Sequence, residues 1–99
     1  MGVYRIRNTR TEKSYLGSST DLPARINRHK MELKFGSHRN AELQDAWKLF
    51  GEAAMEFAIL DELPPPEDPG ADLLEELRVL LQMWIDKLEG AGDSVASLD

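Results

Sequence analysis

The stretch Gly2-Val3-Tyr4-Arg5-Ile6-Arg7-Asn8, with Lys13-Ser14-Tyr15-Leu16-Gly17-Ser18 shortly after it, decides how this chain begins. Residues 2–8 and 13–18 read as the two strands of an antiparallel hairpin joined by a polar turn. The two-residue strand period puts Tyr4 and Ile6 on one side of the first strand and Val3, Arg5 and Arg7 on the other. Tyr15 and Gly17 share a side of the second. Gly17 has no side chain, which leaves room beside a tyrosine for a ligand; a bulge at the strand end accounts for the same glycine equally well.

Beyond the hairpin, Ser19, Thr20 or Asp21 can cap a helix, with Pro23 in its first turn and Gly36 at its end. Leu22, Ile26 and Leu33 form its apolar stripe, and Arg25 and His29 leave it on one face, one turn apart. Asn40 can cap a second helix that buries Leu43, Ala46, Trp47 and Phe50 and stops at Gly51. Residues 55–63 read as a third strand, apolar on both sides at its centre and so expected to be covered on both faces. A proline-rich acidic loop follows over residues 64–70. Asp72 and Glu75 make a capping box for a last helix whose apolar face runs through Leu73, Leu77, Leu80, Leu81, Trp84 and Leu88. The expected fold is α/β in the α+β sense: a three-stranded antiparallel sheet surrounded by three helices, in the order β-β-α-α-β-α. Residues 1–90 form its single domain and residues 91–99 a polar flexible tail.

Ninety-nine residues suit one small core. Without cysteine there is no disulfide framework and no thiolate metal site. No apolar run is long enough to span a bilayer and the basic start lacks a signal-peptide core, so a cytoplasmic location is expected. The formal charge of −6 is unevenly spread. Residues 1–51 carry ten Lys or Arg against five Asp or Glu, whereas residues 52–99 carry two against thirteen. A phosphate backbone responds to the local potential, so the first half can meet nucleic acid despite the acidic whole.

Several short motifs carry a resemblance. Gly2-Val3-Tyr4 and Tyr15-Leu16-Gly17, then Asp21, Arg25, His29, His38, Asn40, Leu43, Gln44, Trp47 and Gly51, closely resemble the GIY-YIG nuclease domain of homing-endonuclease and excinuclease type. The resemblance continues in Phe57-Ala58-Ile59-Leu60 and Gln82-Met83-Trp84-Ile85 and covers nearly all of residues 2–88. It implies a small module that hydrolyses DNA phosphodiesters with one divalent metal ion, Mg²⁺ or Mn²⁺. It also implies catalytic roles for four residues, expected to converge on one shallow surface. Arg25 would clamp the phosphate with its fork of donors, although a lone helical arginine also reads as simply exposed. Tyr4 would activate or position the attacking water, and Tyr15 would orient the phosphate. On their own both tyrosines read as strand residues packed against helices, and a phenol of pKa near ~10 is a poor base unless its phenolate is favoured. His29 would help with proton transfer or phosphate binding. Gly17, Ser18, His38 and Arg39 would lie along the bound substrate.

The chain departs from the family pattern on its last helix. The metal-binding glutamate is expected three residues before Trp84, where this chain has Leu81. Leucine offers no hard oxygen ligand, and Leu74, Leu77, Arg78 and Leu88 on the same helical face supply no carboxylate. No metal-ligating residue is therefore assigned, metal binding is expected to be weak, and Asp61 or Glu62 at the strand end stand as substitutes. The Gly-Tyr-Asn segment common after this helix is also missing between Gly90 and Asp99. Three functions compete: a DNA endonuclease module, impaired at Leu81; a nuclease-like fold that only binds DNA or regulates a relative; and a purely structural domain, which the joint presence of Tyr4, Tyr15, Arg25 and His29 argues against. Weak DNA binding through residues 1–51 is expected, with a partner protein supplying specificity and no membrane association.

Overall fold

The computed structural model describes residues 1–64, 67–68 and 72–99. Strands β1 (Gly2–Asn8) and β2 (Lys13–Ser19) form the expected hairpin, with Tyr4 opposite Gly17 and Ile6 opposite Tyr15. Its turn is held by Asn8, whose side-chain oxygen accepts the Arg10 amide at 2.9 Å, and Glu12 takes a positive φ of 65°. Helix α1 (Leu22–Phe35) starts at Asp21, whose carboxylate accepts the Ala24 amide, and ends at Gly36. Helix α2 (Ala41–Phe50) starts at Asn40, whose side chain accepts the Leu43 amide at 3.0 Å. These caps satisfy donors that a helix cannot satisfy itself. Strand β3 (Met55–Glu62) pairs antiparallel with β1, and helix α3 (Leu73–Gly90) is capped by Asp72. Glu75 does not complete a reciprocal box; its carboxylate binds Arg78.

The sheet has four strands and is mixed, not the expected three antiparallel ones. After Gly92 the chain forms β4 (Ser94–Ser97), which lies parallel to β2 and gives the order β3-β1-β2-β4. The Leu98 amide extends this pairing to the Leu16 carbonyl at 2.7 Å. Part of the segment read as a flexible tail is thus a sheet edge. Four residues with one branched side chain give little strand signal; the strand exists because the outer edge of β2 offers backbone partners. Strand β3 lies at the other edge, so its coverage is less complete than expected. Phe57 and Leu60 pack on opposite faces, while Ile59 is 42 % exposed. The expected proline-rich loop falls largely outside the described residues, which omit 65–66 and 69–71.

One apolar cluster joins Tyr4, Ile6 and Tyr15 to Leu22 and Leu33 of α1 and Leu43 of α2. On the other face, Val3 and Leu16 pack under Leu81, Trp84 and Leu88 of α3. The central strand β1 is therefore buried on both sides, and a cavity opens at the Ser18 end of β2 between α1 and α3.

Two close approaches set that geometry. A Cβ on Gly17 would sit 2.5 Å from Cζ of Tyr4 and closer still to its hydroxyl oxygen. A Cβ on Gly2 would lie 2.8 Å from the backbone carbonyl carbon of Asp61 and closer to its oxygen. The room beside Gly17 is taken by Tyr4 itself. We expect Gly17→Ala to lower stability by about 1–3 kcal/mol in urea unfolding through overpacking. Gly90→Ala, which meets no atom within 4 Å, should change stability little or raise it by up to ~1 kcal/mol. Equal stability of the G17A and parent proteins would contradict the packing of Tyr4 on Gly17.

Candidate active site

Helix α1 carries His29 over β1, where it is 8 % exposed, and a hydrogen-bonded series runs through it. Tyr4 Oη lies 2.6 Å from His29 Nε2, and His29 Nδ1 lies 2.7 Å from His38 Nε2. The Asn40 amide donates to His38 Nδ1 at 3.1 Å. Buried Gln44 secures the segment that carries His38: its Oε1 accepts the His38 amide at 3.0 Å, and its Nε2 donates to the Leu33 carbonyl at 3.1 Å. A residue of α2 thereby ties the loop before it to the end of α1.

Burial sets the protonation states. It pushes the Tyr4 phenol well above its ordinary range, an effect that Asp99 reinforces and Arg25 opposes. It pushes His29 down to about 4, helped next by the neighbouring His38 and also by Arg25, with Glu32 and Asp99 pulling the other way. His38 is lowered by burial as well, against the pull of Glu32 and the Asn40 backbone. At neutral pH the series is a protonated phenol and two neutral imidazoles.

Two adjoining cavities open beside this series. The first lies between α1 and the segment around His38 and is lined by Arg25, Arg28, His29, His38 and Arg39. The second runs on toward α3, past Ser18 and Leu81. Arg25, Arg39 and Asp99 line both. The backbone amide of Ser18 donates to the Asp99 carboxylate at 3.1 Å, and the Ser18 hydroxyl donates to it too. Asp99 was missed by sequence reasoning because it lies in the segment read as a tail; no motif marks it.

Tyr4, Gly17, Ser18, Arg25, His29, His38 and Arg39 are thus gathered at one end of the sheet, with the Tyr4 ring behind the groove at 1 % exposure. Tyr15 is not brought into that cluster. Its hydroxyl donates to Glu42 Oε1 at 2.9 Å, and Lys13 Nζ lies 3.1 Å from the same oxygen. Burial, then Glu42, raises the Tyr15 phenol, while the Tyr15 and Lys13 hydrogen bonds hold Glu42 below the usual carboxylate range. Tyr15 fastens β2 to α2.

Leu81 is 5 % exposed, packed with Val3 and Leu16 at the floor of the second cavity. Its neighbours along that wall, Leu74, Leu77, Arg78, Gln82 and Ile85, carry no carboxylate. Asp61 is engaged elsewhere, accepting the Trp84 indole N–H at 3.1 Å. Among the described residues no three His, Asp or Glu side chains group into a cation site. Asp99, the carboxylate lining this cavity, already accepts from Ser18, and the donor set does not fit a hard divalent ion, which takes several oxygen ligands.

The depressed His29 pKa links stability to pH. Because the folded value, about 4, lies below the ordinary ~6.5, the unfolded chain binds more protons between those limits and stability falls as pH drops through them. We expect a loss on the order of 2–3 kcal/mol from His29 between neutral pH and about pH 4, read by urea unfolding at stepped pH. His29→Gln should flatten that slope; an unchanged slope would show that other groups cause it.

The model of the GIY-YIG catalytic domain family matches residues 1–76. Intron-associated endonuclease 1 of Enterobacteria phage T4 is 37 % identical over 67 residues, which are 68 % of this chain and 27 % of that protein. The chain therefore spans about a quarter of the length of that curated relative. The catalytic domain of the homing endonuclease I-TevI superposes with a TM-score of 0.75 at 26 % identity, covering 99 % of this chain and 97 % of that one. A glutamate-to-alanine mutant of the I-TevI catalytic domain gives a TM-score of 0.73 at 29 % identity, covering 94 % and 88 %. By the extent of the family match, and by a fold shared over its whole length, the chain belongs to the GIY-YIG catalytic domain family.

Proposed function

We propose that this chain is a DNA endonuclease module of GIY-YIG type whose cleavage is impaired at Leu81. The observation that carries the reading is an asymmetry across one groove. One side keeps Arg25, His29, His38 and Arg39 beside Ser18; the other presents Leu81 where the resemblance places the metal-binding glutamate. Metal ions in such nucleases offset charge on the phosphoryl oxygens. The α3 wall presents no carboxylate to hold one, and Mg²⁺ or Mn²⁺ would bind weakly.

The chain's own residues still suit a phosphate. Arg25 is half-buried, which restricts its side chain and directs a planar fork of donors into both cavities. Arg39 is exposed on the facing segment and adds a second cation. Tyr4 supports His29 from behind; at 1 % exposure it is closed off from an attacking water in this structure. DNA would approach over residues 1–51, away from the exposed acids Glu75, Glu76, Asp86 and Glu89 of α3. Binding is weak and salt-sensitive, and a further segment or partner protein supplies specificity. The module acts in the cytoplasm; no helix among the described residues is long and apolar enough to cross a membrane.

A second reading, a DNA-binding or regulatory protein without cleavage, is favoured by one observation: Asp99 already occupies the Ser18 donors.

Two substitutions test the proposal. Arg25→Ala should weaken duplex binding at low salt about tenfold and lower the salt slope by ~1, with helicity by circular dichroism unchanged. Equal affinity of R25A and parent would remove the phosphate role. Leu81→Glu should cost about 2 kcal/mol or more in stability by burying a charge, yet create Mn²⁺ binding in calorimetry and raise nicking of supercoiled plasmid. A folded L81E protein that neither binds Mn²⁺ nor cuts would leave the second reading. Efficient metal-dependent cutting by the parent chain would show that another acid supplies the ligand.

A further inference from the structure

The series Tyr4–His29–His38–Asn40 has a direction. We infer that His38 is a positioning residue: anchored by the Asn40 backbone, it holds His29 in the Nε2–H tautomer, so that His29 donates to the Tyr4 oxygen and does not accept the Tyr4 proton.

One group in the series has a fixed polarity. A backbone amide can only donate, and Asn40 N–H points at His38 Nδ1 at 3.1 Å. That nitrogen must present its lone pair. A neutral imidazole carries one N–H, so the His38 proton is on Nε2, 2.7 Å from His29 Nδ1. His29 Nδ1 accepts it, and the single His29 proton is then on Nε2, 2.6 Å from Tyr4 Oη. The phenol oxygen accepts this bond, and its own hydrogen points away from the histidines.

The reverse polarity puts a proton on His38 Nδ1, facing the Asn40 N–H donor-to-donor. Asn40 cannot turn aside. Its side chain caps α2 through the Leu43 amide, and its carbonyl accepts the Gln44 amide at 3.0 Å as the first bond of that helix. The His38 backbone is fixed in turn by Gln44. A cationic imidazole would free the series from this logic, but both rings are held neutral by burial.

The consequence concerns how Tyr4 can act. A histidine that accepts would take the tyrosine proton. A histidine that donates stabilises negative charge on the phenol oxygen and leaves that proton on the tyrosine. His38 touches no reacting atom in this account; its effect passes through His29. The hydrogen-bond direction is independent of the nuclease reading, and only its use in catalysis rests on that reading.

The test is histidine-selective ¹⁵N NMR of the full chain at neutral pH, without DNA or metal. Ring nitrogens are assigned through their couplings to the ring carbon-bound protons. The expected result is Nε2 of the protonated, pyrrole type and Nδ1 of the bare, pyridine type for both His29 and His38. A protonated Nδ1 on either ring, or averaged shifts from mixed tautomers, would overturn the inference. His38→Ala should then give averaged His29 nitrogens, and His38→Gln, which can restore an N–H donor, should return the parent pattern. A pure Nε2–H His29 in folded H38A would overturn the role of His38. If H38A does not fold, the H38Q and parent spectra decide. Loss of the nuclease reading through R25A or L81E would leave these spectra unaltered, so the two can fail separately.

Discussion

Tyr4 lies across the sheet from Gly17, and its ring fills the space that a side chain there would need. This contact directs the tyrosine hydroxyl beneath α1. His29 meets it at 2.6 Å, and α1 is thereby locked to the central strand by a polar contact inside an apolar cluster. An unpaired buried hydroxyl or imidazole would be costly, so each group depends on the other. The same dependence passes through His38 and Asn40 to the start of α2. A glycine in a strand, normally a weakness, is here the condition for joining both helices to the sheet.

The open end of the sheet is asymmetric in charge and in chemistry. α1 and the segment before α2 contribute Arg25, His38 and Arg39, whereas α3 contributes Leu81 within an apolar face. A carboxylate on that wall would serve a metal at the expense of packing against Val3 and Leu16. Leucine favours the packing. On the proposed reading the molecule keeps the groups that recognise a phosphate and lacks the one that brings the cation.

Much of this was legible in the residues. The helix starts at Asp21, Asn40 and Asp72 are local events between a side chain and the amide three residues on, so sequence carries them. The placement of Arg25 and His29 on one face follows from helical spacing, and the family motifs led to Tyr4, His29 and His38. What stayed hidden is non-local. The bond between His29 and His38 depends on how Gly36 and Gln44 fold the intervening segment. Tyr15 looked equivalent to Tyr4, but its hydroxyl was decided by Glu42, twenty-seven residues away. β4 has almost no strand propensity and forms on an edge that β2 leaves open, and Asp99 reaches Ser18 only through that pairing. Pattern reading sees a residue's own preference; these cases were settled by a partner's.

If the groove around Arg25 handles a nucleic-acid phosphate, a short DNA duplex titrated at low salt into the isotope-labelled parent chain, with backbone amides and arginine side chains followed by NMR, should give salt-reversible shifts concentrated at Ser18, Arg25, His38 and Arg39. Shifts confined to the outer face of α3, or none at all with duplex in large excess, would contradict it.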